Sequence, residues 1–186
     1  VDAALVPVVE VMENPVYWLV DGLGIGCLGP VYSVFLALRK PLGEVRRVAL
    51  DPASRTSVRL ARWLLEQHHG LPVEYVDRGE AAAAQLLIGD PAIAFRHANP
   101  EVPLLDLGEA WREATGLPFV FAVWALRAPD AELAERLRAA ARKGLAARTE
   151  IARQPWELEY LTQHIRYELG EPERAGLAQE TAHRQA

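Results

Sequence analysis

The chain of 186 residues contains one cysteine, Cys27, and one methionine, Met12. A single thiol excludes an intramolecular disulfide framework and any metal cluster built from several cysteines. No run approaches the ~18 uninterrupted apolar residues of a membrane-crossing helix. A basic excess is also lacking: 20 Lys+Arg stand against 25 Asp+Glu, a formal net charge of -5. Nucleic-acid binding needs a concentrated basic surface to neutralise phosphates, and none is present. There is no Gly-x-Ser-x-Gly elbow, and Cys27 has no evident activating partner, so an activated-nucleophile hydrolase finds no support. His68, His69, His97, His164 and His183 form no pair with carboxylates at metal-ligand spacing.

What is present reads as an ordinary globular chain, 51% hydrophobic and 24% charged, long enough for one domain or two small lobes. It opens without methionine on Val1-Asp2-Ala3-Ala4-Leu5-Val6, which reads as core-forming strand. A segment upstream is therefore expected, and a leader peptide is not judged from this end.

Short apolar runs predict strands buried on both faces at Ala3–Val9 and Val31–Leu38, with a further strand at Arg47–Leu50 running into Asp51-Pro52. Further strands are expected at Val73–Val76, Leu86–Ile88 and Leu104–Leu105. The longest apolar run, Phe119–Leu126, is rich in β-branched and aromatic residues and reads as a buried strand. Helices are expected after Ser54, at Glu80–Gln85, at Gly108–Ala114, from Asp130 to about Arg148, and from Pro155 to Leu169. Strands alternating with helices imply an α/β architecture with mainly parallel sheets. Trp111, Phe119, Phe121 and Trp124 either line a pocket or pack a core, and core packing is the default for such residues.

Four features carry candidate chemistry. Ser54-Arg55-Thr56-Ser57 stands between a strand and an apolar stripe at helical spacing, with Gly70 after the last turn. The first turn of a helix leaves N–H groups unpaired and favours an anion, and three hydroxyls add donors for a carboxylate. The plainer reading is a Ser54 cap with solvated neighbours. Gly22, Gly24, Gly26 and Gly29 suggest a dinucleotide loop, but that motif must open a helix, and Gly29-Pro30 is followed by a strand. Those glycines are expected to make turns or bring backbone close to a ligand. Gly89-Asp90-Pro91 follows a strand end, where open α/β sheets place ligand contacts, or else Asp90 only caps a turn. Ser33, inside an apolar run, is a satisfied buried hydroxyl or a pocket donor.

Taken in order, Ser54-Arg-Thr-Ser-Val58, Leu87-Ile-Gly-Asp90, Asp106-Leu-Gly-Glu109 with Trp111, and Thr115-Gly-Leu-Pro-Phe-Val-Phe-Ala-Val-Trp-Ala125 resemble the chorismate dehydratases of the futalosine route to menaquinone. Gly29-Pro30-Val31 with Ser33, and Tyr160-Leu-Thr with Ile165-Arg-Tyr-Glu-Leu-Gly170, are similar to the same family. The resemblance runs to about Leu177. It implies a two-lobed fold like the type 2 periplasmic solute-binding proteins, with ligand in the cleft between lobes. Lobe one would comprise 1–35 and 121–186, and lobe two 36–120. It also implies two βα units of about 30 residues each before Val1, and a final helix whose place is taken by Ala178–Ala186.

The implied activity is removal of water from chorismate to give 3-enolpyruvylbenzoate, a carbon–oxygen lyase reaction in the cytoplasm with no cofactor, no metal, and no nucleic-acid or membrane partner. Mapped onto this sequence, Thr56 and Ser57 would bind a substrate carboxylate, with Ser54 as cap and Gly29 beside them. Ser33 would donate from a facing strand, while Gly89 and Asp90 close the far side, Asp90 orienting the leaving hydroxyl. Ser33 and Asp90 are thus the catalytic candidates. No general base stands out, which leaves an upstream segment or a substrate carboxylate to take the proton. Two alternatives stay open: the sister enzyme that makes 1,4-dihydroxy-6-naphthoate, and a non-catalytic solute-binding protein for a small carboxylate.

Overall fold

The computed structural model describes residues 1–182 except 15, 52 and 53. The expected strand end at Pro52 and the tail histidine His183 therefore lie outside the described residues. In chain order the first elements are β1 (Ala3–Pro7), α1 (Val8–Glu13), β2 (Trp18–Cys27), β3 (Val34–Leu38), β4 (Arg47–Leu50), α2 (Arg55–Trp63), β5 (Glu74–Asp77), β6 (Ala84–Ile88) and α3 (Asp90–Ala98). They are followed by β7 (Leu104–Asp106), α4 (Leu107–Thr115), β8 (Phe119–Leu126), α5 (Ala131–Ala146), α6 (Arg148–Ile151), α7 (Pro155–Glu159), β9 (Arg166–Glu168) and α8 (Glu171–Ala182). The chain divides into two compact units, Val1–Leu28 with Leu117–Ala186, and Gly29–Gly116.

The first unit holds an antiparallel sheet in the order β1-β8-β2-β9. On one face α5, capped by the Asp130 side chain on the Leu133 amide, lays Ala134, Leu133, Leu137 and Ala141 against Val20, Leu23 and Leu126. The other face buries Val8, Val120 and Val123 with Val6, Val11, Met12, Leu169 and Leu177. Gly22, Gly24 and Gly26 lie within β2 rather than in a loop. A Cβ on Gly24 would stand 2.5 Å from the Ala122 carbonyl oxygen and 2.5 Å from a Leu169 methyl, so this glycine admits neighbouring backbone and the residue after β9. Ala3–Val9 is a half-buried edge strand that ends at Pro7, Val8 and Val9 already belonging to α1. The helix expected over Pro155–Leu169 stops after α7 and a π-helical turn at Tyr160–His164. The chain then turns into β9, which pairs with β2. Of the C-terminal stretch 178–186, the residues through Ala182 belong to α8, and 183–186 lie outside the described residues.

The second unit is a sheet in the order β5-β4-β6-β3-β7. β4 is parallel to β5 and β6, while β3 is antiparallel to both β6 and β7. The expectation of mainly parallel sheets is therefore corrected: the first sheet is antiparallel, and in the second only the β4 pairings with β5 and β6 are parallel, although β4, β5, β6 and β7 share one direction with β3 reversed among them. The alternation of strand and helix sets the direction of β4 to β7, but no helix precedes β3 in this unit to do the same. The helix expected at Glu80–Gln85 is instead a turn and the start of β6, with Ala84 buried against β4. Tertiary pairing overrides the alanine preference there.

One interaction in the first unit links fold to pH. β1 pairs with β8 only as far as Ala122, which leaves the Val120 amide without a strand partner on that side. Glu180 on α8 supplies the acceptor, 2.9 Å from the Val120 nitrogen. Burial pushes the Glu180 carboxyl up to about 8, against a smaller opposing pull from the Val120 N–H. The fold therefore binds this proton more tightly than the unfolded chain. Its contribution is complete below the ordinary value of 4.5 and is lost as pH rises through about 8. Between pH 5 and 9 the melting temperature should fall by at least about 3 °C from this group alone. In Glu180→Gln that component of the pH dependence should vanish, which thermal melts across the range will read directly.

Candidate functional site

The register of the second sheet gathers the candidate residues. β4 and β6 are parallel neighbours, and their C-terminal ends lead into Ser54–Ser57 and Gly89-Asp90. Because β3 is reversed, its first residue Val34 lies opposite Ile88, which brings Ser33 to the same edge. β7 ends there too, with Asp106 opposite Phe35. Four adjacent strands span about 14 Å at their usual spacing. The N-termini of α2, α3 and α4 therefore open along one short edge, each presenting the positive end of its dipole.

At α2, Ser54 is the cap: its Oγ lies 3.4 Å from the Ser57 amide nitrogen and 2.9 Å from the Ser57 hydroxyl. Thr56 and Ser57 are buried. The two serine hydroxyls have two protons, and one serves the bond between them. The other meets no acceptor among the described residues. Ser54 thus caps α2 as expected, whereas its neighbours Thr56 and Ser57 are buried rather than solvated.

Next along the edge, the Gly89 amide donates to the Ser33 carbonyl at 2.8 Å, and the Gly89 carbonyl accepts from Ala92 and Ile93. Gly89 has φ 66° and ψ -145°, a region open in practice only to glycine. The cap position of α3 is thus Gly89, and Asp90 is the exposed first residue of the helix, not its cap. The Ser33 amide donates back to Val31 at 2.8 Å across Tyr32, the one non-glycine at positive φ (69°) among the described residues. An i→i+2 bond across a residue at positive φ is a γ-turn, a rare and strained form. Gly29 also has positive φ, and its Cα faces the Arg112 side chain.

The residue that joins these parts is Asp106, only 7% exposed. Its Oδ1 accepts from the amides of Val31 at 2.9 Å, Gly108 at 3.0 Å and Glu109 at 3.2 Å, and its Oδ2 accepts from Tyr32 at 2.8 Å. Arg96 Nη2 approaches Oδ2 at 3.6 Å, and the guanidinium lies 4.3 Å from the Tyr32 ring centroid and 5.0 Å from that of Phe35. The Tyr32 hydroxyl lies 2.9 Å from His97 Nε2. Sequence reasoning placed Asp106 in a shared motif but gave it no role. Asp106-x-x-Glu109 before a helical stripe is a legible cap signature, whereas its two bonds to residues some 75 positions earlier are not.

Elsewhere, Trp111 packs edge-on against Trp63 and Phe119 against Phe121, so these aromatics serve cores. His69 is held below its ordinary value by burial and by His68 beside it. Among the described residues no group of three or more His, Cys, Asp or Glu is placed to hold a metal ion, and no helix is long and apolar enough to cross a membrane.

Replacing Gly89 by Ala tests the geometry of this edge. A Cβ there would meet nothing within 4 Å, so the cost is backbone strain alone, roughly 1–3 kcal/mol. The urea midpoint should fall accordingly at unchanged slope.

With this geometry in hand, similarities to known proteins are informative. A family model described as "Menaquinone biosynthesis" matches residues 1–181. A curated chorismate dehydratase of Thermus thermophilus is 37% identical over 190 residues, 86% of this chain and 70% of that protein. Among solved structures, a protein of Archaeoglobus fulgidus superposes with a TM-score of 0.68 at 19% identity, over 99% of this chain and 79% of its own. An ABC transporter from Parabacteroides distasonis gives 0.56 at 16% identity, over 98% and 74%. At such identities the structural likeness speaks for fold: an α/β, two-lobed architecture of the periplasmic-binding-protein-like kind.

Proposed function

The chain belongs to the menaquinone biosynthesis family, and from that premise we propose that it is a hydro-lyase that removes water from chorismate to give 3-enolpyruvylbenzoate. The observation that carries the reading is the α2 start, where buried Thr56 and Ser57 and a spare hydroxyl proton stand at the N-terminus of a helix.

The chemistry asks for such a site. The C3–H and C4–O bonds of chorismate break, proton and hydroxide leave together as water, and the ring becomes aromatic. Aromatisation supplies the driving force, so the protein must orient the substrate and stabilise charge that delocalises onto the ring carboxylate as C3 loses its proton. Neutral donors fixed at a helix start do this without burying a cation, and they need no reorganisation as the charge grows. In this reading Ser57 and Thr56 hold the ring carboxylate with Ser54 bracing the turn. Ser33 donates from the start of β3, Gly29 and Gly89 let backbone approach, and Asp90, exposed at the start of α3, orients the leaving hydroxyl. The C3 proton goes to a carboxylate of the substrate or to a base outside these residues. Place in the futalosine route and in the cytoplasm follow from the same reading.

The test is incubation of the chain with chorismate and mass analysis of the product. Loss of one water to an aromatic enol ether supports the proposal, whereas binding without turnover favours a solute-binding role. Given turnover, Ser57→Ala and Thr56→Ala should each lower kcat by about 100- to 1,000-fold, the order expected for one donor to developing charge. Unchanged kinetics in both would remove the carboxylate from α2.

A further inference from the structure

The Asp106 carboxylate accepts more hydrogen bonds than its helix requires. Capping α4 uses Gly108 and Glu109. The bonds from Val31 and Tyr32 add nothing to that helix, yet they pin the two amides that lead into the γ-turn at Ser33. A tyrosine at φ 69° is a conformation that costs on the order of 1–3 kcal/mol and persists only where its surroundings over-determine it. Here they do. Two amides on one carboxylate, the Ser33-to-Val31 bond, the Arg96 guanidinium over the ring and the hydroxyl on His97 all hold one residue. On the far side of the turn, Gly89 ties the Ser33 carbonyl to the start of α3.

We propose that Asp106 is a positioning residue for the water elimination, holding the strained Val31–Ser33 turn so that the Ser33 hydroxyl stands at the edge where α2 and α3 begin. This rests on the reading of Ser33 as a donor to substrate. Arg96 belongs to the same device: its charge balances the buried carboxylate while its planar face stacks on Tyr32.

Asn and Asp cap helices about equally well, so Asp106→Asn keeps the α4 cap. Its amide nitrogen cannot accept from Tyr32, and the turn is released. The experiment measures kcat and KM for chorismate in the wild type, Asp106→Asn, Ser33→Ala and the double variant, with thermal melts alongside. The expected result is a kcat lowered about 10- to 100-fold in Asp106→Asn, as sub-ångström to 1 Å misplacement produces, with KM within about threefold and a largely retained melting temperature. In the Ser33→Ala background the same change should cost less than about threefold, since its target is gone. Adding Tyr32→Gly to Asp106→Asn should recover part of the loss, because glycine adopts positive φ unaided.

Multiplicative losses in the double variant, or an unchanged kcat in Asp106→Asn, would overturn the positioning role and leave Ser33 standing. Wild-type turnover in Ser33→Ala would instead remove Ser33 from the site, and the proposal with it. Should Asp106→Asn fail to fold, Asp106→Ser, which caps α4 with one oxygen that cannot span to Tyr32, carries the same comparison.

Discussion

The second unit depends on one buried carboxylate. Asp106 sits where β7 gives way to α4 and opposite Phe35 at the start of β3, so it touches the two ends of an 88-residue unit, Gly29–Gly116. A buried carboxylate is costly unless every lone pair is used, and four amides and an arginine use them. The bonds are charge-assisted and therefore stronger than neutral ones. They also constrain: with both oxygens committed, neither the α4 start nor the Val31–Ser33 turn can shift alone. The reversed strand β3 is held in place from its first residue, and Gly89 then ties the next strand's end to the same turn.

How much of this is legible in the sequence depends on the range of the interaction. Ser54 as a cap, the helix starting about Asp130 and the strand at Phe119–Leu126 follow from residues within a few positions of each other, and the structure agrees. The segment Glu80–Gln85 misleads because alanine favours helix locally, while Ala84 is claimed by pairing with β4 across more than thirty residues. The direction of β3 is invisible for the same reason. The glycines of β2 look like a ligand loop because the side chain of Leu169 and the carbonyl of Ala122, which need the space, lie far away in sequence. Of the candidate site, the α2 donors are local and readable. The Ser33–Gly89 bond and the Asp106 clamp are products of register, so no motif announces them.

The first unit handles an open sheet edge in another way. Past Ala122 strand β1 no longer accompanies β8, and an amide left unpaired against α8 would cost more than a typical hydrogen bond gains. Glu180 closes that gap, but as a carboxylic acid in an apolar setting rather than as an ion. The buried Asp106 and the half-buried Glu180 are two acids that solve the same accounting problem. The difference is the number of donors: four amides and a guanidinium hold one oxygen pair, while a single amide meets the other. Where donors are many, the group organises its surroundings. Where there is one, burial dominates and the proton stays.

That contrast bears on why hydroxyls and helix starts, rather than a clamp of arginines, suit a reaction driven by aromatisation. A salt bridge to the ring carboxylate would bind ground state and transition state nearly alike, which lowers KM without raising kcat. Donors that are fixed but neutral interact weakly with a solvated carboxylate and gain most as the charge delocalised from C3 reaches it. For that gain the donors must already be in place, because reorganisation at the moment of reaction would consume it. A hydroxyl on a flexible loop would not meet this condition. In the proposed site, Ser57 would meet it through the α2 cap. Ser33 would meet it through the turn at Tyr32, held from one side by Asp106 and from the other by Gly89. On the proposed reading, the strain at Tyr32 lies one residue from a substrate donor, and Asp106, with four amides on its two oxygens, is what maintains it.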